Sequence, residues 1–423
     1  MVPRAVYLLQ AGLVVNAFGN GAAGPFLLLY LHDVRRIPLG LAGLAAALNA
    51  ATALVVALVA GSLADRRGSR PTMIAGHACS AVAFALYPLV HEAWQAFPVA
   101  MLAGAGGGTW LTGQSSLVAA LTPPEVRHIA FAQQRVAANI GLGLGGFAGG
   151  LIVAVARPET FTRLFLANAA TFLVYGLVLL LLVPDPVRAL SDKPAALSYR
   201  AVLRDGTFIR FAALTFVFVF AVVSLLNSIF PVFARNQGGL SEDEIGVLFL
   251  LNSVLIVAFQ LPIARSLEGR RRMHGFALMG ALFALCWLLV LAGSATAPLL
   301  LIGAGIVAMS FGECLYDSIQ GPVVSDLAPA EALGRYMAVS GFSWQLGFIV
   351  GPALGAFVLG AEPYALWPLM AGICVLASLY ALVFERRLPE EARRTTRRGS
   401  PAGAARTARR RAAAPAAEAR RRR

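Results

Sequence analysis

The sequence predicts an all-α integral membrane protein, with twelve transmembrane helices in two pseudo-symmetric six-helix bundles. Three observations lead there. Hydrophobic residues fill 58% of the 423 positions and charged residues only 13%, about half the charged share of a soluble globular domain. The 42 glycines and 23 prolines fall largely inside the apolar runs, which transmembrane helices tolerate because neighbouring helices re-satisfy the backbone. The apolar runs number twelve, six on each side of one polar stretch from Pro184 to Gly206.

A span takes about 20 mostly apolar residues to cross a hydrocarbon core roughly 30 Å thick. On that measure the first six segments cover 6–31, 40–61, 72–90, 95–120, 129–155 and 163–184. The second six cover 208–234, 244–265, 274–293, 297–325, 333–359 and 364–385. The predicted organisation is an N-terminal bundle over 1–184, a cytoplasmic linker over 185–207, a C-terminal bundle over 208–386 and a basic, disordered tail over 387–423. The first segment is long and lacks a small-residue cleavage site after a short apolar core, so it reads as a span and not as a signal peptide. The cysteines (Cys79, Cys286, Cys314, Cys374) all lie in apolar segments without metal-ligand spacing. They read as packing residues, and no metal or other cofactor is expected.

Charge sets the orientation. Net charge is +14, and the stretch from Arg386 to Arg423 supplies +11 of it through fourteen arginines and three glutamates. With both termini cytoplasmic, 29 of the 35 Lys and Arg residues face inward, five face outward, and Arg135 is left within a span. Without the tail the inner side still leads by fifteen to five, so the positive-inside rule favours this topology, in the plasma membrane, on the loops alone. The tail arginines suit anionic lipid headgroups of the inner leaflet. No aromatic is interleaved among them for base stacking, so nucleic acid is not an expected partner.

The two halves read as copies. A shift of 206 residues places Leu121, Pro123, Glu125, Ala132, Gly141, Gly145 and Gly149 on Leu327, Pro329, Glu331, Ala338, Gly347, Gly351 and Gly355, and Pro25 on Pro231. Parallel six-helix repeats about an axis normal to the membrane are one architecture of secondary transporters, with the substrate between the halves.

Between the second and third segments stands "GSLADRRGSR", in which Gly61, Asp65, Arg66, Gly68 and Arg70 are spaced as Gly, three residues, Asp, basic, any, Gly, any, basic. This resembles the loop signature of the major facilitator superfamily, and the twelve segments and the repeat fit it. The chain is similar to the bacterial drug:proton antiporter branch over essentially its whole length except the tail. "RVAANIGLGLGGFAGG" (Arg135 to Gly150) resembles the antiporter motif of the fifth helix, with Gly146 where that motif has Pro. "GPALGA" from Gly351 gives the fuller form in the eleventh segment, so Gly141, Gly145, Gly149, Gly150, Gly351, Pro352 and Gly355 form the expected helix-packing motif. "FGECLYDSIQGPVVSDLAP" in the tenth resembles a Gly-Glu element of multidrug-type members. The arginine that many proton antiporters carry in the fourth helix is missing, its place falling at Ala100.

Site expectations follow. In the loop motif the glycines allow a tight turn and close helix approach. Asp65 faces the positive N-terminus of the eleventh helix and Arg66 and Arg70 face lipid phosphates, a cytoplasmic latch that favours the outward-open state. Glu313 and Asp317 are the only carboxylates well inside a span. Spaced i and i+4 they share a helix face, where two negative charges repel, as suits a proton carrier. Arg135 is an ion-pair partner for Asp317 or a gate contact. The resemblance implies a central cavity lined by the first, fourth, seventh and tenth helices. On those fall Asn16, Asn20, Trp110, Gln114, Asn227 and Tyr316. Such a cavity, apolar with aromatics, amides and one acid, suits a lipophilic or cationic compound better than a sugar or a phosphate ester.

The resemblance therefore implies a monomeric secondary transporter that exports a small molecule as protons enter. A proton symporter or facilitator for nutrient uptake is the alternative. A membrane enzyme or non-transporting sensor is remote, since no phosphate-binding loop, metal cluster or nucleophile–base set is present.

Overall fold

The computed structural model describes residues 2–123, 126–184, 199–329 and 332–394. Among them are twelve long helices. The first bundle holds α1 (Arg4–Leu29), α2 (Leu39–Arg67), α3 (Ser69–Leu86), α4 (Ala93–Leu121), α5 (Arg127–Ile152) and α6 (Pro158–Leu181). In the second, α7 opens with Gly206–Phe218, passes through a π turn (Val219–Val223) and continues as Ser224–Ser228 and Phe230–Asn236. There follow α8 (Glu242–Ser266), α9 (Arg272–Gly293), α10 (Pro298–Leu327), α11 (Leu333–Ala361) and α12 (Leu366–Phe384). Eleven of the twelve are long and apolar enough to span a membrane. The exception is α4, whose apolar run is diluted by the Gly106–Gly107–Gly108 stretch and the Thr, Gln and Ser residues after it. Both ends of the described chain lie on one side of the bundle, here the termini side; the opposite is the far side.

Most helices run a few residues past the predicted segments, because nothing in the sequence stops them. The largest difference is at the expected loop between the second and third segments. There α2 stays helical through Asp65 and Arg66 to Arg67, and the chain turns on Gly68 alone. Gly68 holds φ at +102°, a backbone conformation open to glycine and costly for other residues. Its amide donates to the Ala64 carbonyl at 2.8 Å, and its carbonyl accepts from Thr72 at 2.9 Å.

Glycine faces set the helix approaches. On α5, Gly141, Gly145 and Gly149 lie against the α1 backbone: a Cβ at each would stand 2.7, 2.0 and 2.4 Å from the carbonyls of Val14, Phe18 and Ala22. On α11, Gly347, Gly351 and Gly355 likewise face α7, here against the side chains of Val219, Ser224 and Leu225. The 206-residue repeat is thus a repeat of packing. The other face of each glycine helix meets the opposite bundle: Gly146 and Gly150 approach Phe249 and Gly246 of α8, and Pro352 approaches Gly43 of α2.

These close contacts between bundles all lie toward the far side. Hydrogen bonds fasten that end, from the Val155 amide to Glu242 at 2.9 Å and from Asn236 to Asp33 at 3.1 Å. Arg235 pairs with Glu242 at 3.2 Å. The structure is a conformer closed on the far side.

Aromatic residues fill each bundle. Tyr30, Phe84, Tyr87, Phe161 and Phe165 interlock α1, α3 and α6. In the second bundle Trp287 packs against Trp367 with its ring tilted by 37° and donates to the Ala221 carbonyl at 2.9 Å. Of the predicted linker, 185–198 lies outside the described residues, and Tyr199–Arg204 is a short helix. Asp205 then caps α7, accepting from the amides of Thr207 and Phe208 at 3.0 Å, and its second oxygen accepts from Tyr336 at 2.9 Å. Of the predicted tail, 395–423 lies outside the described residues. Glu390–Arg393 forms a helical turn whose Ala392 carbonyl accepts from Arg272, so the first residues after α12 dock on the bundle. Arg272 also pairs with Asp326 at 2.7 Å, both almost fully buried.

Candidate functional site

Between the bundles lies a cavity of about 490 Å³, within the range of small-molecule sites. Asn16, Asn20, Trp110 and Asn227 line it, as the helix pattern predicts. Gln114 and Tyr316 do not. Gln114, one turn beyond Trp110, is buried inside the first bundle, where its side-chain oxygen accepts from Tyr175 at 2.5 Å. Tyr316 packs on Phe276 within the second bundle. The lining is weighted toward the first bundle, with Asn49 and Ala46 from α2, His77, Ser80 and Phe84 from α3, and Phe172 from α6. From the second bundle it takes Ser224, Asn227 and Ser228 of α7 with Phe348 and Pro352 of α11, and nothing from α10. Among the described residues no Asp, Glu, Lys or Arg lines it, so the acid expected in the cavity lies elsewhere.

That acid sits in a separate polar seam between α8 and α10. Glu313 accepts from Asn252 at 2.8 Å, and Asn252 also donates to Ser310 at 3.0 Å. Two turns further, Gln260 donates to Ser318 at 3.2 Å. Asp317, one turn from Glu313, forms an ion pair with Arg135 of α5 at 2.5 Å. The pair crosses from one bundle to the other, with the Arg135 side chain 60% and Asp317 20% exposed. Asn252 and Gln260 are not readable in the sequence as site residues. They stand two turns apart on one face of an apolar helix, a spacing too sparse to mark a site by itself.

In the loop motif, Asp65 and Arg66 lie on the last turns of α2, and their side chains are outside the described residues. Arg70, expected to face lipid phosphates, instead donates to the carbonyls of Leu179 and Leu180 at the end of α6. These carbonyls have no partner within their own helix, so a guanidinium suits them. Gly61 makes no close helix approach. Ala100, at the place of the missing arginine, is buried, and its carbonyl accepts from Asn49 at 3.1 Å.

Comparison with known proteins agrees with this architecture. The family model described as Major Facilitator Superfamily matches residues 11–241 and again 212–422. The chain is 24% identical to the MFS-type transporter YttB of Bacillus subtilis, over 94% of this chain and 99% of that protein. It is 26% identical to the multidrug resistance protein MdtH of Salmonella typhimurium, over 80% and 84% of the two chains. The crystal structure of the nucleoside transporter NupG superposes with a TM-score of 0.73 at 14% identity, covering 90% of this chain and all of that one, a likeness of fold. With both halves matched and the twelve-helix fold shared, the chain belongs to the Major Facilitator Superfamily and is a multi-pass membrane transporter, not an enzyme.

Proposed function

We propose that the protein is a proton-coupled exporter of small lipophilic compounds, working by alternating access in the plasma membrane with both termini cytoplasmic. The observation that carries this reading is the Arg135–Asp317 ion pair between bundles, one helical turn from Glu313. Alternating access requires the bundles to move against one another. A charge-dependent link between them, beside a second intramembrane carboxylate, ties that motion to the protonation of α10. Protonating Asp317 removes its charge and releases Arg135; Glu313 is the neighbouring group that can take up or pass on the proton. The cargo occupies the apolar cavity, away from these acids. The likeness to a multidrug resistance protein supports export, and the apolar lining of the cavity supports a lipophilic cargo. The far-side closure then corresponds to the inward-facing state, and the loop motif is proposed to latch the opposite, outward-open state. The basic tail is proposed to lie on anionic lipid, and the transporter to act as a monomer.

Expression in bacterial cells stripped of their own efflux pumps tests direction. Tolerance to lipophilic inhibitors is expected to rise at least fourfold. Unchanged tolerance together with faster growth on a limiting nutrient assigns uptake instead.

A further inference from the structure

The side-chain nitrogens of the residues that line the cavity fall into two groups. Asn20, Asn49 and Asn227 give their amide nitrogens to protein acceptors, Asn16 Oδ1 and the carbonyls of Ala100 and Val223, at 3.2, 3.1 and 2.8 Å. Ser224 and Ser228 bond back to their own helix. The second group comprises Nδ1 and Nε2 of His77, Nδ2 of Asn16 and Nε1 of Trp110, all buried and none with a protein hydrogen-bond partner. No other lining residue has a buried side-chain polar atom in that condition.

These three side chains come from α3, α1 and α4, and two of them are deeply enclosed. His77 is 1% and Asn16 3% exposed. The His77 ring is held edge-on to Phe172 at 5.8 Å and against Tyr175 at 4.7 Å. The Met73 carbonyl one turn earlier is a polar neighbour of the ring. Buried polar groups are nearly always satisfied, and an exception calls for an explanation such as an ion, a water or a ligand. Asn16 Nδ2 and Trp110 Nε1 are donors only, and a neutral imidazole adds one donor and one acceptor. Among the described residues no charged side chain lies on the lining, and although the amide oxygens of Asn20, Asn49 and Asn227 also belong to it, the ligand that completes the enclosed donors is one that accepts. It is an uncharged, aromatic or otherwise lipophilic molecule carrying hydrogen-bond-accepting oxygen, as in an aryl ketone, ester or quinone. A lipophilic cation finds neither a carboxylate nor a use for the donors.

We propose that the cavity recognises uncharged lipophilic compounds through acceptor oxygens, with Asn16, Trp110 and His77 as the donors that bind them. This rests on the exporter reading for its cargo class and narrows that class. The aromatic walls supply affinity without discrimination, and the donors supply selectivity, because a site built to hydrogen-bond rejects an analogue that lacks the group.

The test is equilibrium dialysis of the full chain in lipid nanodiscs, with empty nanodiscs subtracted. The probes are benzophenone and 9-fluorenone, their hydrocarbon counterparts diphenylmethane and fluorene, and tetraphenylphosphonium. Each ketone is expected to bind at least tenfold tighter than its hydrocarbon, and tighter than the cation. Trp110→Phe and Asn16→Leu should each cut the ketone-to-hydrocarbon ratio at least threefold. Hydrocarbon binding should stay within twofold and reports that the pocket is intact; should Asn16→Leu fail that control, Trp110→Phe carries the test. A wild-type ratio near one, ratios unchanged in the variants, tightest binding of the cation, or no binding of any probe overturns the proposal. Proton-driven flux in vesicles tests the exporter reading separately. Flux without ketone selectivity rejects only the recognition proposal, and selectivity without flux rejects only the exporter reading.

Discussion

Arg135 and Asp317 are the pair whose roles depend most on each other. They are far apart in the chain and belong to different bundles, yet their side chains meet at 2.5 Å. Arg135→Ala and Asp317→Asn should each lower proton-driven flux at least tenfold, and the exchanged pair Arg135→Asp with Asp317→Arg should recover part of it. Single variants that transport normally would show the pair to be incidental. Both residues are legible in the sequence because a charge inside an apolar helix is conspicuous. His77, Asn252 and Gln260 are not, since one or two uncharged polar residues on an apolar helix do not show what that face packs against. Gln114 shows the converse error. It shares a helix face with Trp110, but one turn further along Tyr175 of α6 closes over it, so a shared face does not ensure a shared cavity.

At the scale of the helix, the glycines of α5 and α11 decide how closely their neighbours approach. A methyl group at Gly145 would stand 2.0 Å from the Phe18 carbonyl oxygen, backbone that cannot step aside, whereas one at Gly61 meets nothing within 4 Å. Gly145→Ala is therefore expected to lower stability by about 1–3 kcal/mol through overpacking. Gly61→Ala should leave it unchanged or raise it by about 0.5–1 kcal/mol, as alanine favours a helix interior. Thermal unfolding in detergent measures both, and equal shifts would contradict the packing account. The sequence repeat made these glycines readable, because i, i+4, i+8 spacing survives in both halves. Element ends were less readable. The charged cluster after Gly61 looks like a loop, but charge does not end a helix, and α2 continues until Gly68 adopts a positive φ.

For the whole molecule, the account is of two similar bodies, closed on the far side here, that exchange which end is open. Their far ends approach closely at Leu39 and Gly360, where a Cβ built on the glycine lies 3.9 Å from that of the leucine. That separation suits a disulfide. Oxidised Leu39→Cys/Gly360→Cys should lose transport at least tenfold and regain it on reduction; undiminished transport when fully cross-linked would show that this end need not open. The two-bundle architecture was legible from segment count, repeat and loop motif. The cavity's lean toward the first bundle was not, since it depends on how α2, α3 and α6 pack around α1 and not on any one segment. Coupling is the central claim, and Glu313 tests it most directly. In inverted vesicles with an acidic interior, the wild-type chain should accumulate a compound found in the tolerance screen, and Glu313→Gln should do so at least tenfold more slowly. Full retention of proton-driven accumulation by Glu313→Gln would contradict the account.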